Sequence, residues 1–279
     1  MKFNFAAISH RPTPVRIGLF VLMLFLVWLP LKIPIEWAVS VFYGVNDAAR
    51  NLASILTLIG LYVEFIFLVK FWGRSVYREP LFRVYGLRQP RQTIQNVLQG
   101  LAIGLGSLLL MFAIQGILGW VQWQIPSSTF LRLALEGGLM AIAVGFAEEL
   151  LFRGWLLNEL DRDYSPQISL LVSSFVYAAV HGIRPQIFAL VILGAILVWA
   201  KRATRGRLGL SIGFHAGIVW GYYLVNVGQL ITFTNRVPAW VTGIDRNPLA
   251  GIMGILALST IAFFMRSAAV QNRSIELRH

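Results

Sequence analysis

The sequence predicts an all-α fold: a polytopic membrane helix bundle of about eight transmembrane helices, with both termini in the cytoplasm. Three observations carry this. Of the 279 residues, 57% are hydrophobic and 13% are charged, with mean hydropathy +0.69, whereas a soluble domain carries about 25% charged residues. Apolar runs recur along the whole chain at lengths near the ~20 residues that cross a bilayer as a helix. The basic residues fall unevenly between those runs. Eighteen of the 24 Lys and Arg lie on segments that are inside if the N-terminus is inside, and only Lys32, Arg50, Arg132, Arg184, Arg236 and Arg246 lie outside. Such an excess on the cytoplasmic side sets orientation in membrane proteins.

The predicted spans are 15–31, 51–72, 94–120, 133–157, 166–183, 186–200, 208–227 and 247–265. The first follows a basic stretch with no small-residue cleavage site after it, which reads as a signal anchor. Residues 73–93 are polar and rich in Arg, and read as a loop or surface helix at the headgroups, attracted to anionic lipid. The fifth and sixth spans are short and separated only by Gly182–Pro185. That turn is expected to stay inside the protein without reaching the outer water, since irregular backbone at membrane depth survives only where it is buried in protein or lines a cavity. No solenoid repeat or flexible linker interrupts the chain, which is read as one integral membrane domain over 1–279. The net charge of +12 is accounted for by topology, so no nucleic-acid partner is expected. The chain has no cysteine, which removes cysteine proteases, thiolate zinc sites, iron–sulfur clusters and disulfides.

An ionisable residue inside a span costs roughly 2.5–3.5 kcal/mol on the insertion scale and marks a functional candidate. Those inside the predicted spans, with the boundary pair member Glu136, are Glu64, Glu136, Glu148, Glu149, Arg153, His181 and His215. Glu149 and Arg153 are four apart and share a helix face, which predicts a buried ion pair that braces the helix. Arg132 and Glu136 have the same spacing near the outer end of span four. Glu64 has no partner in sequence. Glu148 is turned about 100° from Glu149 and has no basic residue at i±3 or i±4, so it is free of that pair. Gly145, one turn earlier, allows another helix to come close. A carboxylate with two histidines from other helices is the minimum for activating water, directly or through a metal. The competing reading of each histidine is an interhelical hydrogen bond.

These residues resemble a family. EELLFR, residues 148–153, is similar to the EExxxR motif of the CAAX-protease and bacteriocin-processing (CPBP, or ABI) intramembrane proteases, related to CAAX prenyl protease 2. The family's second motif is FxxxH; here Tyr177 to His181 reads YAAVH, with tyrosine for phenylalanine. The third is a histidine followed four residues later by Asn or Asp, and His215 in LSIGFHAG stands there. The resemblance covers roughly 85–228, the protease-like core; spans one, two and eight carry no such motif.

The resemblance implies an endopeptidase acting on a membrane-associated peptide or protein within the lipid bilayer. Glu148 would activate water with His181, His215 would stabilise the oxyanion, and Glu149, Arg153 and Tyr177 would support them. The preferred reading requires no cofactor. Zinc held by Glu148, His181 and His215 is the competing account. One departure stands out: position 219 is Val219, where the family expects Asn or Asp. Loss of one oxyanion donor typically costs 10²–10³ in rate. Helical spacing offers Ser211 and Tyr222 as stand-ins. The alternative function is therefore a membrane scaffold or regulator of the same fold without turnover, and less favoured still is a proton-coupled transporter. A site-2-type zinc protease lacks its HExxH here, no aspartate lies in a span for an aspartyl type, and a Ser211–His215 dyad leaves EELLFR unexplained.

Helix geometry poses one difficulty. His215 stands about 10 Å from the start of span seven, and His181 about 22 Å from Pro166, at 1.5 Å per residue. The two meet only if span five is tilted or starts below the bilayer, or if the Gly182–Pro185 turn is re-entrant.

Overall fold

The computed structural model describes residues 4–276. Lys2 and Arg278, two of the eighteen basic residues placed inside, lie outside the described residues. The chain divides into two compact units, one ending at Val84 and the other beginning at Tyr85.

In the first unit a helical hairpin pairs α1 (Thr13–Tyr43) with α2 (Asp47–Trp72). The helix α1 is longer than the predicted span 15–31, because Pro30 and Pro34 lie inside it without ending it. Prolines are tolerated in membrane helices when local adjustments satisfy the freed carbonyls. The hairpin turns at Gly44, whose φ of 76° suits glycine. Asn46 then caps α2 by accepting from the Ala49 amide at 2.8 Å. At the other end Phe20 packs edge-on against Phe65 and Trp72. Beyond α2 the polar stretch forms a π-helical turn, Gly73–Tyr77, which stops at Arg78 in the left-handed conformation, and then one short helix, Leu81–Val84.

The second unit is built around its most buried helix. It contains α3 (Pro90–Ile117), α4 (Phe130–Glu149), a π-helical turn (Leu150–Leu156) running on into α5 (Leu157–Asp163), α6 (Pro166–Val180), α7 (Ile187–Ala203), α8 (Gly209–Asn226) and α9 (Ile252–Glu276). Every residue from Gly209 to Ile218 is buried, so the first half of α8 is covered on all sides, as expected for a helix that is apolar all round.

Its sequence explains how. Gly209, Gly213, Gly217 and Gly221 recur every four residues, a small-residue stripe that lets helix backbones touch. A Cβ on Gly213 would fall 2.0 Å from the Val97 carbonyl, and one on Gly217 2.5 Å from that of Leu101. From the other side, Gly100 and Gly104 of α3 face the carbonyls of Leu210 and Phe214. The contacts advance together along both chains, so α3 and α8 run parallel. On α4 the order is reversed: Gly145 meets Ile212 and Ala216, while Gly137 meets Tyr223. Thus α4 runs antiparallel to α8.

Parallel α3 and α8 finish at the same end, and there the chain forms a two-stranded antiparallel ribbon. Strand β1 (Val121–Trp123) pairs with β2 (Ile231–Phe233), with Gln122 opposite Thr232. Among the described residues this is the whole of the sheet structure.

Each of the eight predicted runs falls on a helix. Among the described residues, five helical stretches are long and apolar enough to cross a membrane: Thr13–Tyr43, Asp47–Tyr77, Pro90–Ile117, Phe130–Asp163 and Ile252–Asn272. The helices α6, α7 and α8 have 15, 17 and 18 residues, short of the ~20 a simple span needs. The predicted span 133–157 is also not uniform, since its C-terminal part is π-wound.

Candidate active site

The site is assembled from the ends of helices. Glu148 and Glu149 are the last residues of α4, immediately before the π-helical turn. Such turns inside α-helices are rare and frequent at functional positions, because they displace side chains from regular spacing and free backbone groups. Two carbonyls of this turn accept from side chains of neighbouring helices. Ser173 Oγ donates to the Phe152 carbonyl at 3.4 Å, and Lys201 Nζ donates to that of Arg153 at 2.6 Å.

His181 is the C-cap of α6. The helix ends there because Gly182 takes a φ of 87° and Pro185 follows shortly after. Its height is set by the hairpin that α5 makes with α6. Glu148 precedes Asp163 by as many residues as His181 follows Pro166, so the two stand at similar distances from the turn, on the order of 20 Å at 1.5 Å per α-helical residue. The mismatch with His215 is resolved by where α8 begins. Leu208 packs beside Gly154, with the Leu208 Cδ1 3.4 Å from the position of a Gly154 Cβ. From Gly154 to Asp163 the chain advances about another 13 Å. The α5–α6 hairpin thus projects beyond the start of α8 by nearly the distance that separated the two histidines in the sequence estimate.

The side chains converge accordingly. Glu148 Oε2 lies 3.5 Å from His181 Nε2 and 3.8 Å from His215 Nε2. His181 Nδ1 lies 2.7 Å from the Tyr177 carbonyl; a carbonyl only accepts, so this nitrogen carries a proton. His215 Nδ1 lies 3.0 Å from Glu149 Oε1. The same oxygen accepts from Arg153 Nη1 at 2.9 Å, while Arg153 Nη2 donates to the Gly194 carbonyl at 3.2 Å. A carboxylate so paired is an acceptor, and it places the His215 proton on Nδ1. Both imidazoles therefore turn Nε2 toward Glu148.

Tyr177 is buried within this group. Its ring covers the Arg153 guanidinium at 4.3 Å and meets the rings of His181 and Phe152. Its hydroxyl lies 3.4 Å from His215 Nε2. Access falls off across the site: the side chain of His181 is 31% exposed and that of Glu148 19%, while His215 is 4% and Glu149 and Arg153 are 0%.

The structure brings Glu148, Glu149, Arg153, Tyr177, His181 and His215 together, and alters two expectations. Glu149 is more than a brace for its own helix, since it also grips His215 on α8. Nor are the two glutamates served by separate partners. An imidazole inserted from another helix bridges directions about 100° apart, and His215 faces both carboxylates. Of the stand-ins for position 219, Ser211 Oγ is buried and donates to the Leu208 carbonyl, and Tyr222 is 38% exposed. Glu136 pairs with Arg132 at 2.7 Å as its spacing predicted. Glu64 belongs to the first unit, where its carboxylate oxygens have no hydrogen-bond partner among the described residues.

Lys201 was missed as a site neighbour. Its place after an apolar run reads as a cytoplasmic charge, yet it is buried against Arg153 and Asn158. Among the described residues, no group of three or more His, Asp and Glu is placed to hold a metal ion. Glu148, His181 and His215 converge without meeting that grouping, and zinc held by the three stays the competing account.

The fold and this polar centre define an α-helical integral membrane protein with a carboxylate–imidazole site where α4, α6 and α8 meet. Residues 130–221 match the family model described as Rce1-like: Type II CAAX prenyl endopeptidase Rce1-like. The matched segment, about a third of the chain, contains the motif positions at 148–153, 177–181 and 215. No curated protein and no solved structure matches the chain.

Proposed function

We propose that this protein is an intramembrane endopeptidase that cleaves a membrane-associated peptide or protein with water activated by Glu148. The observation that carries the reading is the Glu148 carboxylate facing two imidazoles from separate helices, at 3.5 and 3.8 Å. Glu148 takes a proton from water, and the hydroxide attacks the scissile carbonyl. That proton is shared with the Nε2 atoms of His181 and His215, and is returned to the leaving amine when the C–N bond breaks. His215, held from behind by Glu149 and Arg153, stabilises the oxyanion. The protease-like core is about 85–228 within one membrane domain. Both termini are cytoplasmic, and the Gly182–Pro185 turn stops short of the outer water.

The test is cleavage of a membrane-peptide library by purified protein in liposomes, comparing wild type with Glu148→Gln, with and without a chelator. Wild-type cleavage abolished by the substitution and indifferent to chelator supports the reading. Loss on chelation, with recovery on adding zinc, assigns the chemistry to a metal. Cleavage of no peptide by folded wild-type protein favours the second reading, a scaffold without turnover, to which Val219 points.

A further inference from the structure

An oxyanion hole is commonly built from more than one donor, and on α8 the position one turn beyond His215 is the apolar Val219. The polar groups around the site leave few candidates. Ser211 spends its hydroxyl on the Leu208 carbonyl. Arg153 spends Nη1 on Glu149 and Nη2 on Gly194, and although its Nε has no partner, its side chain is 0% exposed beneath the Tyr177 ring. His181 spends Nδ1 on the Tyr177 carbonyl. Tyr177 remains: its hydroxyl reaches only His215 Nε2, at 3.4 Å, beyond the usual range of an O–H donor. A bond that long is weak, and redirecting it costs little.

We propose that the Tyr177 hydroxyl is the second oxyanion donor of this site and supplies what Val219 lacks. This rests on the proteolytic reading above. In the resting site Nδ1 of His215 carries the proton, so the bare Nε2 accepts from the Tyr177 O–H. As water attacks, its proton passes to Glu148, whose Oε2 faces Nε2, and can move on to that nitrogen. Nε2 then ceases to be an acceptor. The phenol turns its hydrogen to the carbonyl oxygen, which has gained the π electron pair as the new C–O bond formed. No proton leaves Tyr177; the hydroxyl only changes acceptor. When the C–N bond breaks, the amine takes the proton, the carbonyl re-forms, and the hydroxyl returns to Nε2. Phenylalanine at 177 retains the ring contacts with Arg153, Phe152 and His181, and lacks this donor.

Tyr177→Phe tests the proposal. Its kcat is expected to fall by about 10²–10³ with KM little changed, the cost of one lost oxyanion donor. Adding Val219→Asn to Tyr177→Phe is expected to restore part of the rate. In ¹⁵N spectra of labelled imidazoles, the His215 Nε2 resonance of detergent-solubilised protein is expected to shift in Tyr177→Phe without loss of helical content or melting temperature. A Tyr177→Phe protein that cleaves as fast as a cleaving wild type overturns the role of Tyr177 and leaves the protease standing. An unmoved Nε2 resonance overturns the resting hydrogen bond, whatever the activity. A folded wild type that cleaves nothing overturns the proteolytic reading, and this role falls with it.

Discussion

Glu148 and Glu149 are neighbours in the chain with different surroundings. Glu149 is fully buried, with Arg153 and His215 both on Oε1. Neutralising it as Glu149→Gln leaves a buried guanidinium without its counter-charge, which typically costs 3–5 kcal/mol. A marked drop in melting temperature and a loss of cleavage are expected together. Glu148 is partly exposed and bonded to no backbone group, so Glu148→Gln is expected to abolish cleavage with little change in melting. Thermal unfolding followed by circular dichroism, alongside the peptide assay, checks both. The Glu149–Arg153 pair was legible from sequence because a helix turn carries i,i+4 information. The second grip of Glu149, on His215, was not legible, since nothing local records a partner 66 residues away.

At the scale of elements, the register between helices is set by glycines. Gly213 has no room for a Cβ, which would meet the Val97 backbone at 2.0 Å. Backbone cannot step aside as a side chain does, so Gly213→Ala is expected to destabilise by about 1–3 kcal/mol or more through overpacking. Since α8 carries His215, the same change is expected to lower cleavage. Gly106 of α3 has nothing within 4 Å of a built Cβ, and Gly106→Ala serves as the control, expected to melt as wild type or slightly higher. Melting curves of the two variants side by side decide it. The apolar runs that made these helices were readable from composition and length. The π-helical turn at Leu150–Leu156 was not, because its winding depends on carbonyl acceptors being met by Ser173 and Lys201 from other helices.

For the whole molecule, the proposed orientation is checked by labelling. The natural chain has no cysteine, so one introduced thiol reports without background. Ser165, between α5 and α6, is expected on the cytoplasmic side, and Ser127, between β1 and α4, on the opposite side. Both are exposed. In sealed vesicles of known sidedness, an impermeant maleimide is expected to reach Ser165→Cys and Ser127→Cys from opposite faces. Labelling of both from one face overturns the orientation.

The sequence by itself determined that this is a helical membrane protein, which residues carry unusual charge within it, and which of them pair along one helix turn. Those properties follow from composition and from a 3.6-residue period, and both are local. The tertiary structure alone decided that Glu149 holds His215, that the Tyr177 hydroxyl faces the same imidazole, and that Lys201 is buried under the π-helical turn. These contacts span 66, 38 and 48 residues. Each depends on how far one helix slides along another, a displacement fixed by backbone contact at glycines such as Gly145 and Gly213, which no periodicity within a single helix can encode.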